Sequence, residues 1–276
     1  MTPSSEQVEY QRTYYDNHFP KRAAVVQEQL AHPLFRNFYD RLARLVLDRG
    51  LPGDGITPAP TNGRGLRLLE IGCGEGLLGS AIHRAAAERS IDLSYTGTDL
   101  SAAALDLARP SVSGQLIQGD ATEVVAGLAP GSHDLAVVKN LLHHLDDPAD
   151  LMRAAAQAVG PTGKVVVVEA CLGAPQFWVF TFLAPRREKH FFKGRRRNLA
   201  AVRDGGLRVT STDFYSWLPF ELAFAIRFDW FRKLLGTDDP ARIERIGRLD
   251  DRLTSALTFT ASYIVWTATP AEAGRD

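Results

Sequence analysis

Cysteine and lysine are both scarce in this chain of 276 residues. The two cysteines, Cys73 and Cys171, are too few for a secreted disulfide framework and lack the spacing of a metal site, so a reducing setting and no metal are expected. Six lysines stand against 26 arginines, which with abundant alanine reads as codon bias toward GC rather than as function. Net charge is absent too. Lys+Arg and Asp+Glu are 32 each, so no global field gathers nucleic acid or anionic lipid. No window reaches the roughly 18 apolar residues of a membrane span, and MTPSSEQVEYQRTYYDNHFPKR holds no export segment. A cytoplasmic protein is expected. What is present, 45% apolar and 23% charged residues, matches an ordinary globular chain and excludes a disordered or fibrous one.

GLPGDGITPAPTNGRG (50–65) is too dense in Gly and Pro for a helix or strand to cross it. Before it, Phe35, Phe38, Leu42, Leu45 and Val46 recur at helical steps, with Pro33 breaking the run. After it come short apolar runs at 66–72, 93–99, 114–120, 134–140 and 163–170, each followed by a helix-compatible stretch. They are apolar on both faces, as parallel strands covered by helices are, which predicts a doubly wound α/β fold. Two later runs, 207–216 and 259–269, are rich in β-branched and aromatic residues and complete the set of strand candidates.

The strongest chemical signal is LLEIGCGEG (68–76), a buried strand running into a turn with Gly72, Gly74 and Gly76 before a helix near Leu77. Glycines there let the backbone approach a ligand, and the turn's amides are expected to face it. The spacing Gly72-x-Gly74-x-Gly76 departs from the G-x-G-x-x-G of dinucleotide sites, and Glu70 would repel a pyrophosphate. A cofactor with a cationic centre and a free ammonium group suits that carboxylate better.

Three further segments keep the order of one family: TGTDLS with Asp99, QGDATE with Asp120, and Asn140-Leu-Leu-His-His-Leu145. With the glycine turn, they resemble the class I S-adenosylmethionine-dependent methyltransferases over about Tyr14 to Ala170. The resemblance implies a Rossmann-like, doubly wound, mostly parallel sheet of seven strands in the order 3-2-1-4-5-7-6. It also implies S-adenosyl-L-methionine as cofactor, held by Glu70, Gly72, Cys73, Gly74, Gly76, Asp99, Leu100, Asp120, Ala121 and Asn140. Asp99 would take the ribose hydroxyls and Asp120 would lie beside the adenine. Each acid reads alternatively as a helix cap, because Ser101 and Thr122 also suggest helix starts.

His143 and His144 are the candidates for a general base where the acceptor is a hydroxyl. Adjacent residues on a turn point apart, so one faces the site and the other packs. Tyr14 and Tyr15 read either as part of a flap over the cofactor or as aromatic anchors. The expected organisation is an N-terminal helical flap (1–50), a linker (51–65) and a cofactor-binding domain (66–276) with cap insertions at about 171–206 and 217–258. Arg195, Arg196 and Arg197, with Phe191 and Phe192, read as a solvated helix start or as contacts to an anionic acceptor. The stripe Phe220, Phe224, Phe228, Phe231 and Leu235 reads as core or cap, pocket wall, or a peripheral membrane contact, in that order. The acceptor is expected to be a small, largely apolar metabolite and not nucleic acid. Cyclisation, aminocarboxypropyl transfer and a catalytically idle interaction module stand as alternatives.

Overall fold

The computed structural model describes residues 13, 28, 30–51, 65–171, 194–218 and 239–271. Helix α1 (Pro33–Gly50) precedes β1 (Leu66–Ile71), α2 (Leu77–Glu88), β2 (Leu93–Asp99), α3 (Ala102–Ala108), β3 (Gln115–Gln118), α4 (Ala121–Ala126), β4 (Leu135–Lys139), α5 (Pro148–Val159) and β5 (Lys164–Ala170). Then follow α6 (Arg195–Asp204), β6 (Leu207–Tyr215), α7 (Pro240–Ala256) and β7 (Tyr263–Pro270). The strands form one sheet in the order β3-β2-β1-β4-β5-β7-β6, as expected. The first five are parallel, and β7 runs antiparallel to both its neighbours.

Burial on both faces explains the unbroken apolar strands. Leu66, Leu68, Leu135, Val137, Val166 and Val168 pack with α1 and α2, while Leu69, Ile71, Ala136, Val138, Val165 and Val167 pack with α5. Pro33 does not interrupt α1 but opens it, where a missing N–H costs nothing. The helix stops at Gly50 because Pro52 pushes Leu51 out of the helical region.

Of the segment expected as a flap, residues 33–50 are thus a helix seated on the sheet. Phe38, Leu42, Val46 and Leu47 are fully buried, worth roughly 1.5–3 kcal/mol each. Polar contacts fix the helix's direction: the Tyr215 hydroxyl donates to the Phe38 carbonyl, and Arg41 pairs with Asp250, which is wholly buried and also accepts from the Trp217 and Leu218 amides. Tyr14, Tyr15, Phe191, Phe192 and the stripe from Phe220 to Leu235 lie outside the described residues. Arg195, Arg196 and Arg197 form the first turn of α6.

Strand order reverses between β1 and β4. At such a switch point the loops leaving the carboxyl ends of the two strands diverge to opposite sides and leave a crevice. All the motifs singled out between 70 and 145 converge on that end of the sheet.

Candidate active site

Beyond β1, Gly72, Gly74 and Gly76 all adopt left-handed backbone conformations, with φ of 72°, 51° and 76°. Space is restrictive at two of them: a Cβ on Gly72 would stand 3.1 Å from the Leu141 side chain and one on Gly76 2.9 Å from Ala108 Cβ, whereas at Gly74 only the backbone conformation calls for glycine. The glycines therefore serve shape and packing. The expectation that their amides face a ligand is corrected by the hydrogen bonds. Gly72 and Cys73 N–H donate to the Thr98 carbonyl, Gly76 N–H to the Cys73 carbonyl, and Gly74 N–H to Asp99 Oδ2 at 2.8 Å. Four amides of the turn are thus bonded within the protein.

Asp99, at the end of β2, also accepts from Ser101 N–H at 3.0 Å through Oδ1. Burial raises its pKa, and the amides of Ser101 and Gly74 oppose that rise by favouring the carboxylate. The Leu100 amide bonds the carboxylate as well, which leaves about one of its four lone-pair sites for another donor. Asp120 caps α4, its Oδ1 accepting from Thr122 and Glu123 N–H at 2.9 and 3.2 Å, so the cap reading holds for it in geometry while it still faces the crevice. The crevice, about 160 Å³, is lined at this end by Asp99, Leu100, Asp120 and Ala121, and near β1 and β4 by Gly72, Lys139, Asn140 and Leu141. His144 and Leu145 complete the lining.

Glu70, Cys73, Gly74 and Gly76 are not among the lining residues. Glu70 lies on the sheet face shared by Leu66 and Leu68, only 2% exposed, and accepts a 2.7 Å hydrogen bond from the Tyr95 hydroxyl. Burial pushes its pKa up to about 7, against the Tyr95 hydrogen bond and the nearby Lys139 charge. Its role is therefore beneath the site. Burial, followed by the charges of Glu70 and Asp99, pushes the Cys73 thiol far up, which makes it inert.

After β4 the chain turns sharply at Asn140, whose φ is 52°, and enters a short 3-10 turn, Leu142–His144. The two histidines separate. His143 is 4% exposed and its Nδ1 lies 2.7 Å from Glu169 Oε2, whereas His144 lines the crevice, the two rings 4.2 Å apart. Glu169 Oε1 also accepts from the Leu141 and Leu142 amides at 3.0 and 2.8 Å. From α6, Asn198 Nδ2 approaches Glu169 Oε2 at 3.4 Å, and Arg197 donates to the carbonyls of Leu145 and Asp146. Glu169 and Lys139 stand outside the residues expected at the site, and Arg197 enters there as a prop of the turn, neither solvated nor set against an acceptor. Glu169 and Lys139 leave a trace in the sequence as charges near the carboxyl ends of apolar strands.

Among the described residues, no group of His, Cys, Asp and Glu could hold a metal, and no helix is long and apolar enough to cross a membrane. Residues 69–167 match a family model described as a methyltransferase domain. Residues of the chain are 37% identical over 105 positions to a ubiquinone biosynthesis O-methyltransferase of Idiomarina loihiensis, covering 37% of this chain and 41% of that protein. The chain thus spans about two-fifths of the length of the curated relatives it matches. A geranyl diphosphate methyltransferase solved in complex with SAM is similar in fold, with a TM-score of 0.52, 17% identity, and 84% and 85% of the two chains covered. So is the [4+2]-cyclase SpnF, with a TM-score of 0.52, 19% identity, and 84% and 81% covered. At these identities the likeness is one of fold. The crevice suits S-adenosylmethionine by its hydrogen-bond acceptors, the carboxylates of Asp99 and Asp120 beyond β2 and β3, each with a lone pair to spare. Sheet order and the match over 69–167 agree: that stretch is similar to a methyltransferase domain and lies in a fold shared with solved S-adenosylmethionine-dependent methyltransferases.

Proposed function

We propose that the protein is a cytoplasmic methyltransferase that acts on a small, largely apolar acceptor, with oxygen as the atom modified. The observation that carries this reading is one continuous crevice that runs from Asp99 and Asp120 to His144. S-adenosylmethionine, when bound, supplies a methyl group on a sulfonium. The chain's residues do the rest by placement. Asp99 accepts from the ribose hydroxyls. Leu100 and Ala121 border the adenine, with Asp120 at its edge. Gly72 and the turn at Asn140 border the amino-acid portion. His144 takes the acceptor's proton, and His143, clasped by Glu169, holds the turn that presents it. The flap role stays with residues 1–30, including Tyr14 and Tyr15. The name of the curated relatives favours oxygen over nitrogen or carbon. No feature of the crevice favours nucleic acid.

Calorimetry with S-adenosylhomocysteine tests the cofactor site. Wild-type protein binds it, and Asp99→Ala binds about 10- to 100-fold more weakly, from roughly 1.5–3 kcal/mol for hydrogen bonds to a charged group. Equal affinity of the two proteins removes Asp99 from the site. A second reading, a non-methylating reaction on the same scaffold, is favoured by the fold shared with a [4+2]-cyclase. Product analysis separates the two: S-adenosylhomocysteine marks methyl transfer, methylthioadenosine marks aminocarboxypropyl transfer, and neither product marks cyclisation without turnover of the sulfonium.

A further inference from the structure

Lys139 ends β4 on the sheet face that carries Leu135 and Val137, and it lines the crevice. Its ammonium lies 5.3 Å from the ring centroid of Tyr39, on α1, and 5.8 Å from that of Tyr263, the first residue of β7. Both rings are buried, at 3% and 4% exposure. Two aromatic faces attract the ammonium and hold it in one place. Its charge acts on Glu70 of β1, beneath the crevice, and it shares the crevice lining with His144 and Asp99.

Position in the sheet gives this charge its meaning. Asp99 and Asp120 leave β2 and β3, on one side of β1, so the nucleoside end of the crevice is there. Lys139 and Tyr263 belong to β4 and β7, on the other side, where the acceptor enters on the reading above. A fixed cation at that end repels a protonated amine and attracts an oxyanion. We infer that Lys139 selects the acceptor class: an oxygen acid, a phenol or an enol, bound as its anion beside the Lys139 ammonium. The step is a proton transfer. The acceptor O–H bond breaks, its electron pair stays on oxygen, and the proton passes to the His144 imidazole.

This inference rests on the methyltransferase reading, and one experiment separates the two. Full-length protein saturated with S-adenosylhomocysteine is titrated with 4-nitrophenol, and ionisation of the bound phenol is read from its phenolate absorbance. An opposite charge at contact distance lowers an acid's pKa by roughly 1–3, so bound phenol is expected to show an acid constant at least about tenfold above that of free phenol. Lys139→Met loses that excess, and Lys139→Arg, which keeps the charge, retains it. Bound phenol no more ionised than free phenol, no phenol binding, or full excess ionisation in Lys139→Met overturns the inference and leaves the cofactor site standing. Failure of the wild-type protein to bind S-adenosylhomocysteine overturns both.

Discussion

Removing the Glu169 carboxylate should unfasten the turn that carries both histidines. Glu169 is 1% exposed and accepts from the amides of Leu141 and Leu142 and from His143, with Asn198 at longer range. In Glu169→Ala three buried donors lose their partner, and each stranded donor costs about 1–3 kcal/mol. Water entry and partial relaxation reduce the sum, so about 3–5 kcal/mol of stability is expected to be lost. Glu169→Gln keeps an oxygen for the two amides and places an NH2 group against His143. One contact fails where three failed before, at a cost of about 1–2 kcal/mol. Urea unfolding gives both values, provided the dependence on denaturant keeps its slope. A loss below about 1 kcal/mol in Glu169→Ala would show that the turn is held by its apolar packing, with Leu142 as anchor, and the clasp would have no energetic content. Equal losses in the two variants would show that charge, and not the count of accepting lone pairs, is what the site requires.

Two further outcomes follow from the same geometry. Glu70 has a folded-state pKa of about 7 against an ordinary 4.5, so its contribution to stability is fully present below about pH 4.5 and is lost as pH rises through 7; Glu70→Gln still accepts from Tyr95 and should gain on the order of 2–3 kcal/mol over wild type at pH 8.5 while nearly matching it at pH 5. Urea midpoints at the two pH values check this, and a gain independent of pH would refute it. His144→Ala should lower turnover of a phenolic acceptor by about 10²-fold or more with little loss of stability, whereas His143→Ala should chiefly lower the urea midpoint; the reverse pattern would exchange their roles.

The fold was legible because burial on two faces leaves a plain trace. Val165, Val166, Val167 and Val168 are all fully buried, and no half-exposed strand tolerates that run. Positions of the acids were legible as well, since Asp99 and Asp120 close polar stretches at strand ends. Orientation was not. Glu70 and Ile71 are neighbours in sequence but point to opposite faces of the sheet, so proximity to the glycine turn says nothing about which side the carboxylate takes. Tyr95, on the adjacent strand, decides it. Nor does a glycine pattern reveal where its amides bond, because the acceptors, Thr98 and Asp99, lie some 25 residues away and come close only through parallel pairing of β1 with β2.

The clasp around the histidines shows how a long-range arrangement escapes a linear reading. Its parts come from three places: the turn after β4, Glu169 in β5, and Arg197 and Asn198 in α6. In sequence Arg197 is one of a basic triplet, yet its guanidinium bonds the Leu145 and Asp146 carbonyls, while Arg195 stacks over Phe214. The triplet therefore contains at least two different functions that composition treats as one. It also ties the chain that follows β5 back to the crevice: the stretch expected as a cap insertion leaves the sheet at Cys171, at the carboxyl end of β5, and its described end is bonded to the turn bearing His144.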